Sequence, residues 1–359
     1  MEGETMKTAA IINEFNTEDP ARKEWLRQIR KHEGSCRIIA IMSGDFTQQG
    51  LPAQKDKYQR AARAIQEGVD MVVELPVYSS LSSPDTYAFA AVSLLESLHC
   101  IDTLYLACDT KDTALLLQTA RFLFAENIQY QKTLKNLRLT GMSFYDAQAL
   151  AAEKFIPGAK EILKSRQNAF AAEYIRSLMR LYSRIKPCLI PIALKEDPGQ
   201  SAGTQGYLTA LLDYTLKHGP KDLDEISGGT AALTAAIRHN QPKYDTFENF
   251  CRQLATPSRS PANIRRYMLS AILNLRKSDM ALCRLYSFAL YIHVLAIRET
   301  EEEMLLMVKT RTRLPILYSN SPEADAPLSL SVRHMAAFDQ RAHMLYSLAF
   351  PKRQRSDQE

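Results

Sequence analysis

Thr8-Ala9-Ala10-Ile11-Ile12, running into Asn13-Glu14-Phe15-Asn16, opens the stretch that decides the fold. A second apolar run, Arg37-Ile38-Ile39-Ala40-Ile41, runs into Met42-Ser43-Gly44-Asp45-Phe46-Thr47-Gln48-Gln49-Gly50. Between them Pro20–His32 sets Trp25, Leu26 and Ile29 at helical spacing. Strand, helix, strand is a βαβ unit, and its loops fall at the carboxyl ends of the strands. Open α/β sheets bind their ligands there, so the chemistry is expected in these loops.

Working outward, apolar runs recur at 71–75, 102–107 and 188–193, with helical patterns at Gln59–Glu67, Ser83–Leu98 and Asp112–Phe124. Continuous apolar strands alternating with helices predict a parallel sheet covered on both faces. Ser83-Pro84-Asp85 and Asp109-Thr110-Lys111-Asp112 mark helix starts. Residues 127–161 read as helical and more polar. Gln167–Leu181 is a helix before the strand Cys188–Leu194, and Glu196–Thr204 is a polar loop expected to move. Helices follow at Leu208–Leu216 and Thr230–His239, with a turn at Ile226–Gly229 between them. Beyond Gln241 the segments Phe247–Leu254, Pro261–Leu275, Met280–Ile297 and Glu301–Val308 all carry a helical period. No strand is expected there before Leu314–Tyr318, and a last helix covers Leu330–Leu348. The shift in character sets a boundary at 240. Residues 1–240 form an α/β domain and residues 241–359 a mostly α-helical one.

The chain has 359 residues, room for one large or two ordinary domains, and a net charge of +5. Arg252–Arg284 and the tail Lys352-Arg353-Gln354-Arg355 are basic, and Glu299–Glu303 is acidic. That balance admits an RNA partner without requiring one. The six cysteines are far apart and form no Cys-x-x-Cys pair. They read as reduced and mostly buried, which argues against a disulfide scaffold and a zinc ribbon. No stretch approaches the roughly 18 apolar residues of a membrane span, and the N-terminus lacks a signal-like core. Residues 1–5 read as a polar leader. The expectation is a cytoplasmic protein with no membrane partner and no obligate protein partner. The seven histidines are scattered and offer no metal set. No Walker loop, Gly-x-Gly-x-x-Gly or nucleophile elbow is present.

With its loops written out, the chain resembles the tRNA(Met) cytidine acetate ligase family. The resemblance rests on Glu14-Phe15-Asn16 and on Met42–Ala53 followed by Asp56-Lys57 and Arg60-Ala61. Gly68-Val69-Asp70, Val73-Glu74-Leu75-Pro76 and Ala90–Leu95 continue it. Later come Asn168 with Glu173-Tyr174-Ile175, Ala236-Ile237-Arg238, Lys309–Pro315 and Arg341–Leu348. The resemblance implies a Rossmann-like nucleotidyltransferase sheet and ATP, with Mg²⁺ accompanying it, as cofactors. It also implies acetyl transfer from acetyl-adenylate to the wobble cytidine of elongator tRNA(Met), giving N4-acetylcytidine.

The departures fall where the chemistry is expected. After Glu-aromatic-Asn the family has Pro-Phe-His-Asn-Gly-His, whereas here the chain reads Thr17-Glu18-Asp19-Pro20-Ala21-Arg22. Both histidines of this His-x-Gly-His motif are gone. Such a pair sits at a helix N-terminus and stabilises phosphate charge. Asp19 repels phosphate, while Arg22 supplies a cation. Ala107 replaces a glycine near the nucleotide, Ala235 a Ser/Thr ahead of Arg238, and Leu194 an arginine, with Lys195 adjacent.

The implied site is Arg22 and Lys57 as catalytic cations and Asn16, Ser43, Gly44, Asn168 and Arg238 on ATP. Gln48 and Gly50 shape the substrate cleft, and Arg60, Arg265, Arg266 and Lys277 meet RNA. Bland readings stand beside these. Asp56 leads a solvated first helical turn, and Ile264, Leu269, Ile272 and Leu273 make Pro261–Leu275 an ordinary amphipathic helix. The alternative to the ligase is a non-catalytic paralogue that keeps the fold and an RNA-binding surface. A third reading is a nucleotidyltransferase in which Glu18 or Asp19 holds a metal.

Overall fold

The computed structural model describes residues 6–125, 127–195, 204–240, 244–318 and 328–350. The loop 196–203, the leader 1–5 and the basic tail from 352 lie outside the described residues. Among the described residues seven strands form one sheet. In chain order they are β1 (Lys7–Ile12), β2 (Cys36–Ser43), β3 (Met71–Leu75), β4 (Thr103–Cys108), β5 (Lys186–Pro191), β6 (Ile292–Ile297) and β7 (Ile316–Tyr318). Their order across the sheet is β5-β4-β1-β2-β3-β6-β7. All neighbours run parallel except β3 and β6.

Alternation along each strand sends side chains to opposite faces. Ala10, Ile39, Ile41 and Val73 join the larger core on one side, while Ala9, Ile11, Ile38, Ala40 and Val72 join a smaller one on the other. Both faces are therefore apolar, which is why β2 and β3 read as unbroken runs rather than alternating ones. The Pro20–Glu33 helix lies on the smaller core through Trp25, Leu26 and Ile29, as its spacing requires. Asp19 caps it, accepting from Ala21 N at 2.9 Å.

The chain lays down β1, β2 and β3 in one direction, then returns past β1 to lay down β4 and β5 in the other. The two strands at that reversal are β1 and β4, which pair through Ala9–Thr103 and Ala10–Leu104. Their carboxyl ends diverge into separate loops and leave a crevice.

One expectation is corrected. Met280–Ile297 is not a single helix. The helix ends at Leu285, Ser287 and Phe288 take φ of 50° and 65°, and Ile292–Ile297 becomes β6. A short apolar run carries no period that separates strand from helix. Here Ile292 and Val294 are β-branched, and the open edge of β3 supplies the partner, with Val73 opposite Val294 and Glu74 opposite His293. The segment beyond 240 thus adds two strands to the sheet as well as its helices. The expected strand at Cys188–Leu194 also shifts, pairing from Lys186 to Pro191. Five of the six cysteines are buried, the exception being the half-buried Cys188. Among the described residues no helix is long and apolar enough to cross a membrane.

Candidate nucleotide cleft

The crevice between β1 and β4 is walled by Asn13–Thr17 after β1, Leu106 and Ala107 on β4, and Thr47–Gln49 after β2. Gln167, Phe170 and Tyr174 of the Arg166–Arg180 helix close the far side. Phe15 takes φ of 47°, a left-handed conformation unusual for a side chain of that size. The turn is held by its N–H donating to Asn13 Oδ1 at 2.9 Å and by the Arg22 guanidinium 4.7 Å above its ring.

Three residues that line this cleft carry buried N–H donors with no acceptor among the described residues: Asn16 Nδ2, Trp25 Nε1 and Gln48 Nε2. A buried donor left unmatched costs about 1–3 kcal/mol. Three around one crevice are what an acceptor-rich ligand such as a phosphate or nucleotide would satisfy. Asn16 Oδ1 meanwhile accepts from Gln54 N at 2.7 Å, which fixes the amide and points its donor end elsewhere.

The charged residues behave differently from their sequence reading. Arg22 lines the cleft, but its Nε and Nη2 each donate to Glu67 at 2.7 Å, and Nη2 also reaches Thr17 O at 2.7 Å. Both partners of this pair are about 4% exposed. Nη1 alone has no hydrogen bond among the described residues. The Asp19 carboxylate accepts at the helix N-terminus and from Lys195 N at 2.9 Å, taking the place where an anionic ligand would sit.

Lys57 is not in the cleft wall. Its ammonium is buried beneath the loop after β2 and donates to both oxygens of Glu74 at 2.8 and 2.9 Å. Burial alone would lower its pKa, but the carboxylates of Glu74, Asp339 and Asp45 outweigh that and raise it. Glu74 in turn is drawn down to about 2, its burial outweighed by Lys57 and His293. Gly44 is glycine for this reason, since an added Cβ would collide with the Glu74 carboxylate. Asp339, pushed up to about 6 by burial and the Glu74 charge, accepts from Val77 N and Tyr291 Oη. Glu74, His293 and Asp339 form the group with metal-ligand spacing among the described residues, bringing one histidine out of the scatter. Lys57 already engages both Glu74 oxygens, so the group is a charge-balanced core cluster.

Arg60 is fully buried, so as folded it offers RNA no contact. It donates to Glu14 O at 2.8 Å, Ser43 O at 2.9 Å, Lys55 O at 3.1 Å and Gly44 O. One guanidinium thereby ties the loop after β1 to the loop after β2. Ser43 donates to Glu14 Oε1 at 2.6 Å behind the cleft wall. Asn168 accepts from Asp109 N at 3.0 Å and donates to Ile162 O at 3.2 Å, joining β4 to the Arg166–Arg180 helix. Ser43, Gly44, Arg60 and Asn168 therefore position the wall without lining it.

Gly50, with φ of 69°, faces the Pro261–Leu273 helix, where a Cβ would lie 2.7 Å from Arg266 N. Arg238 is exposed on the last turn of the Ala231–Asn240 helix, outside the cleft lining, and Ala235 is exposed on the same helix. Lys277 is exposed, whereas Arg265 is mostly covered and Arg266 is buried. Sequence reasoning missed Trp25 and Arg166. The latter opens its helix at the cleft rim and donates to Gln48 Oε1 at 2.9 Å. The nearby Asn168 was the available signal.

A crevice at the strand-order reversal of a mostly parallel sheet defines an open α/β protein that binds its ligand at that point. The chain belongs to the HIGH nucleotidyl transferase family, whose model matches residues 6–200 and 193–359. A relative from Thermoanaerobacter sp. (strain X514), named tRNA(Met) cytidine acetate ligase, is 28% identical, with 96% of each chain covered. The protein of that name from Clostridium perfringens (strain SM101 / Type A) is 25% identical over the same shares. Among solved structures, Thermotoga maritima TmcAL bound with alpha-thio ATP superposes with a TM-score of 0.85 at 21% identity, covering 97% of this chain and 95% of that one. Its apo form gives 0.84 at 22% identity. At that identity the likeness carries the fold.

Proposed function

We propose that this protein is a tRNA(Met) cytidine acetate ligase and that the β1–β4 crevice is its adenylation site. The observation that carries the reading is the set of three unmatched donors, Asn16, Trp25 and Gln48, at the reversal point of the sheet. Relatives matched over nearly their whole length bear the name of that activity, and none favours the non-catalytic reading.

In the first step an acetate oxygen attacks the α-phosphorus of ATP and pyrophosphate leaves, giving acetyl-adenylate. In the second, the N4 amine of the cytidine attacks the acyl carbon, AMP leaves, and the N4 proton passes to water. With Arg22 mostly spent on Glu67, phosphate charge falls to its free Nη1 and to two further cations of the cleft lining, Arg166 and Lys195. Neither of these two forms an ion pair among the described residues. Asn16, Trp25 and Gln48 hold the nucleotide by donating to it, and preorganised donors cost little reorganisation as charge develops. Mg²⁺ would arrive on the ATP phosphates. The helical part of the segment beyond 240 is assigned to the tRNA, in line with Arg265 and Arg266 donating to the carbonyls of Gln49 and Gln48 in the cleft wall.

Acetate-dependent exchange of labelled pyrophosphate into ATP tests the first step. Labelled acetate recovered as N4-acetylcytidine after digestion of an elongator tRNA(Met) transcript tests the second. Absence of both from folded protein overturns the reading.

A further inference from the structure

A second cavity adjoins the cleft, and the two share Gln48, Gln49, Arg166 and Phe170 as a common wall. Its other side is built from the Phe247–Gln253 and Pro261–Leu273 helices. Lys164, Arg166, Arg252, Arg265 and Arg266 face Glu173 and Glu248 across it, a surplus of three positive charges. The carboxylates are already occupied. Glu173 binds Arg176 at 2.7 and 2.8 Å, and Glu248 is shared by Arg252 at 3.1 Å and Arg265 at 3.0 Å.

Arg266 is the telling residue. It is about 6% exposed, and its hydrogen-bond acceptors among the described residues are neutral: Gln48 O at 3.0 Å and Asn263 Oδ1. No carboxylate pairs with it among the described residues. Burial pushes its pKa down to about 10, the mark of a guanidinium lacking a counter-charge. A buried cation without an anion is costly unless a ligand supplies one. Tyr145 and Phe170 line the same cavity, and the Arg166 guanidinium lies over the Phe170 ring, 5.3 Å from its centroid. Aromatic faces beside arginines are the usual means of holding an unstacked base and its phosphate.

We propose that this second cavity holds the acceptor nucleotide, its pyrimidine against Tyr145 and Phe170 and its phosphate on Arg266 with Arg252. The proposal rests on the ligase reading and adds where the cytidine sits. The shared wall puts the base next to the adenylation cleft, so its exocyclic amine meets the acyl group across Gln48 and Arg166. Arg266 donates to the carbonyl of Gln48, a cleft-lining residue, so anion binding in one cavity bears on the geometry of the other.

The test uses the full chain and a synthetic anticodon stem-loop RNA of tRNA(Met) with cytidine at the wobble position. Affinity is read by fluorescence anisotropy, and acetate-dependent pyrophosphate exchange is read in parallel. Tyr145 is partly exposed and absent from the adenylation cleft, so Tyr145→Ala should fold. We expect Tyr145→Ala to weaken RNA binding and acetyl transfer about tenfold while leaving pyrophosphate exchange intact, and Tyr145→Phe to restore both. Arg252→Ala should weaken RNA binding and flatten its salt dependence by about one phosphate contact. Unchanged RNA affinity in both alanine variants overturns the proposal. Loss of pyrophosphate exchange in the parent protein would instead remove the ligase reading, and the RNA-binding comparison would still decide whether the cavity takes the nucleotide.

Discussion

Replacing Arg22 by methionine should destabilise the protein by about 3–5 kcal/mol, because the change strands a buried carboxylate. Glu67 holds the pair at about 4% exposure, and both its oxygens are bonded to the guanidinium at 2.7 Å. Thr17 O loses its donor as well. Glu67 is also the last residue of the Lys57–Glu67 helix, where the helix dipole disfavours a negative charge, so Arg22 offsets a second unfavourable interaction there. Glu67→Leu alone leaves the arginine buried and should cost a similar amount. The double variant Arg22→Met/Glu67→Leu removes both charges and should lie within about 1 kcal/mol of the parent, since a well-packed apolar pair often equals a buried ion pair. Urea unfolding followed by the fluorescence of the single tryptophan gives all four stabilities, because Trp25 lies on the same helix as Arg22 and is about 1% exposed. The expected coupling is several kcal/mol. If the double variant loses the sum of the two single losses to within about 0.5 kcal/mol, the two side chains act independently and the reasoning fails.

Arg60→Met should abolish nucleotide binding and lower the melting temperature, because it leaves four carbonyls without their shared donor at about 1–3 kcal/mol for each one that stays dry; a protein that melts and binds as the parent does would contradict the role given to Arg60. Asp19→Asn keeps a good helix cap and removes a negative charge from the phosphate end of the cleft, so ATP should bind several-fold more tightly by calorimetry. Unaltered affinity would mean that the phosphates lie elsewhere. Asp339, raised from 3.8 to about 6, keeps a proton in the folded state that the unfolded chain has already lost. Its contribution to stability therefore falls as pH rises from about 4 to about 6, and Asp339→Asn should remove that slope from urea midpoints measured across the window. Gly50→Ala should cost stability through both its φ of 69° and the contact with Arg266, and the loss should be readable as a lower melting temperature.

How much of this was legible depends on how local the deciding forces are. Strands β1 to β4 were readable because each is an unbroken apolar run set between a helix and a polar loop. The crevice followed, since the loop after a parallel strand has only one end of the sheet to occupy. β6 was not readable, because Ile292–Ile297 becomes a strand only through the free edge of β3, more than two hundred residues earlier in the chain. Arg60 and Lys57 misled for a related reason. A basic side chain near a helix start reads as a cation free to meet phosphate unless its acceptors are known, and theirs come from the loops after β1 and β2, the end of β2 and the strand β3. The loss of the histidine pair was visible in the sequence, but its consequence was not. Asp19 serves as a cap and Arg22 is captured by Glu67, a residue that no local pattern connects to it.

The antiparallel seam between β3 and β6 also sets the order of events on the ribosome. Strand β3 emerges early, with one edge hydrogen-bonded to β2 and the other bare until β6 has been synthesised. Its buried glutamate waits equally long for His293. Every residue between them is made while an apolar strand edge stands open, the arrangement that invites pairing with a second nascent chain. Fragments ending near residue 240 should therefore aggregate, and the early strands can settle only when the last third of the polypeptide arrives.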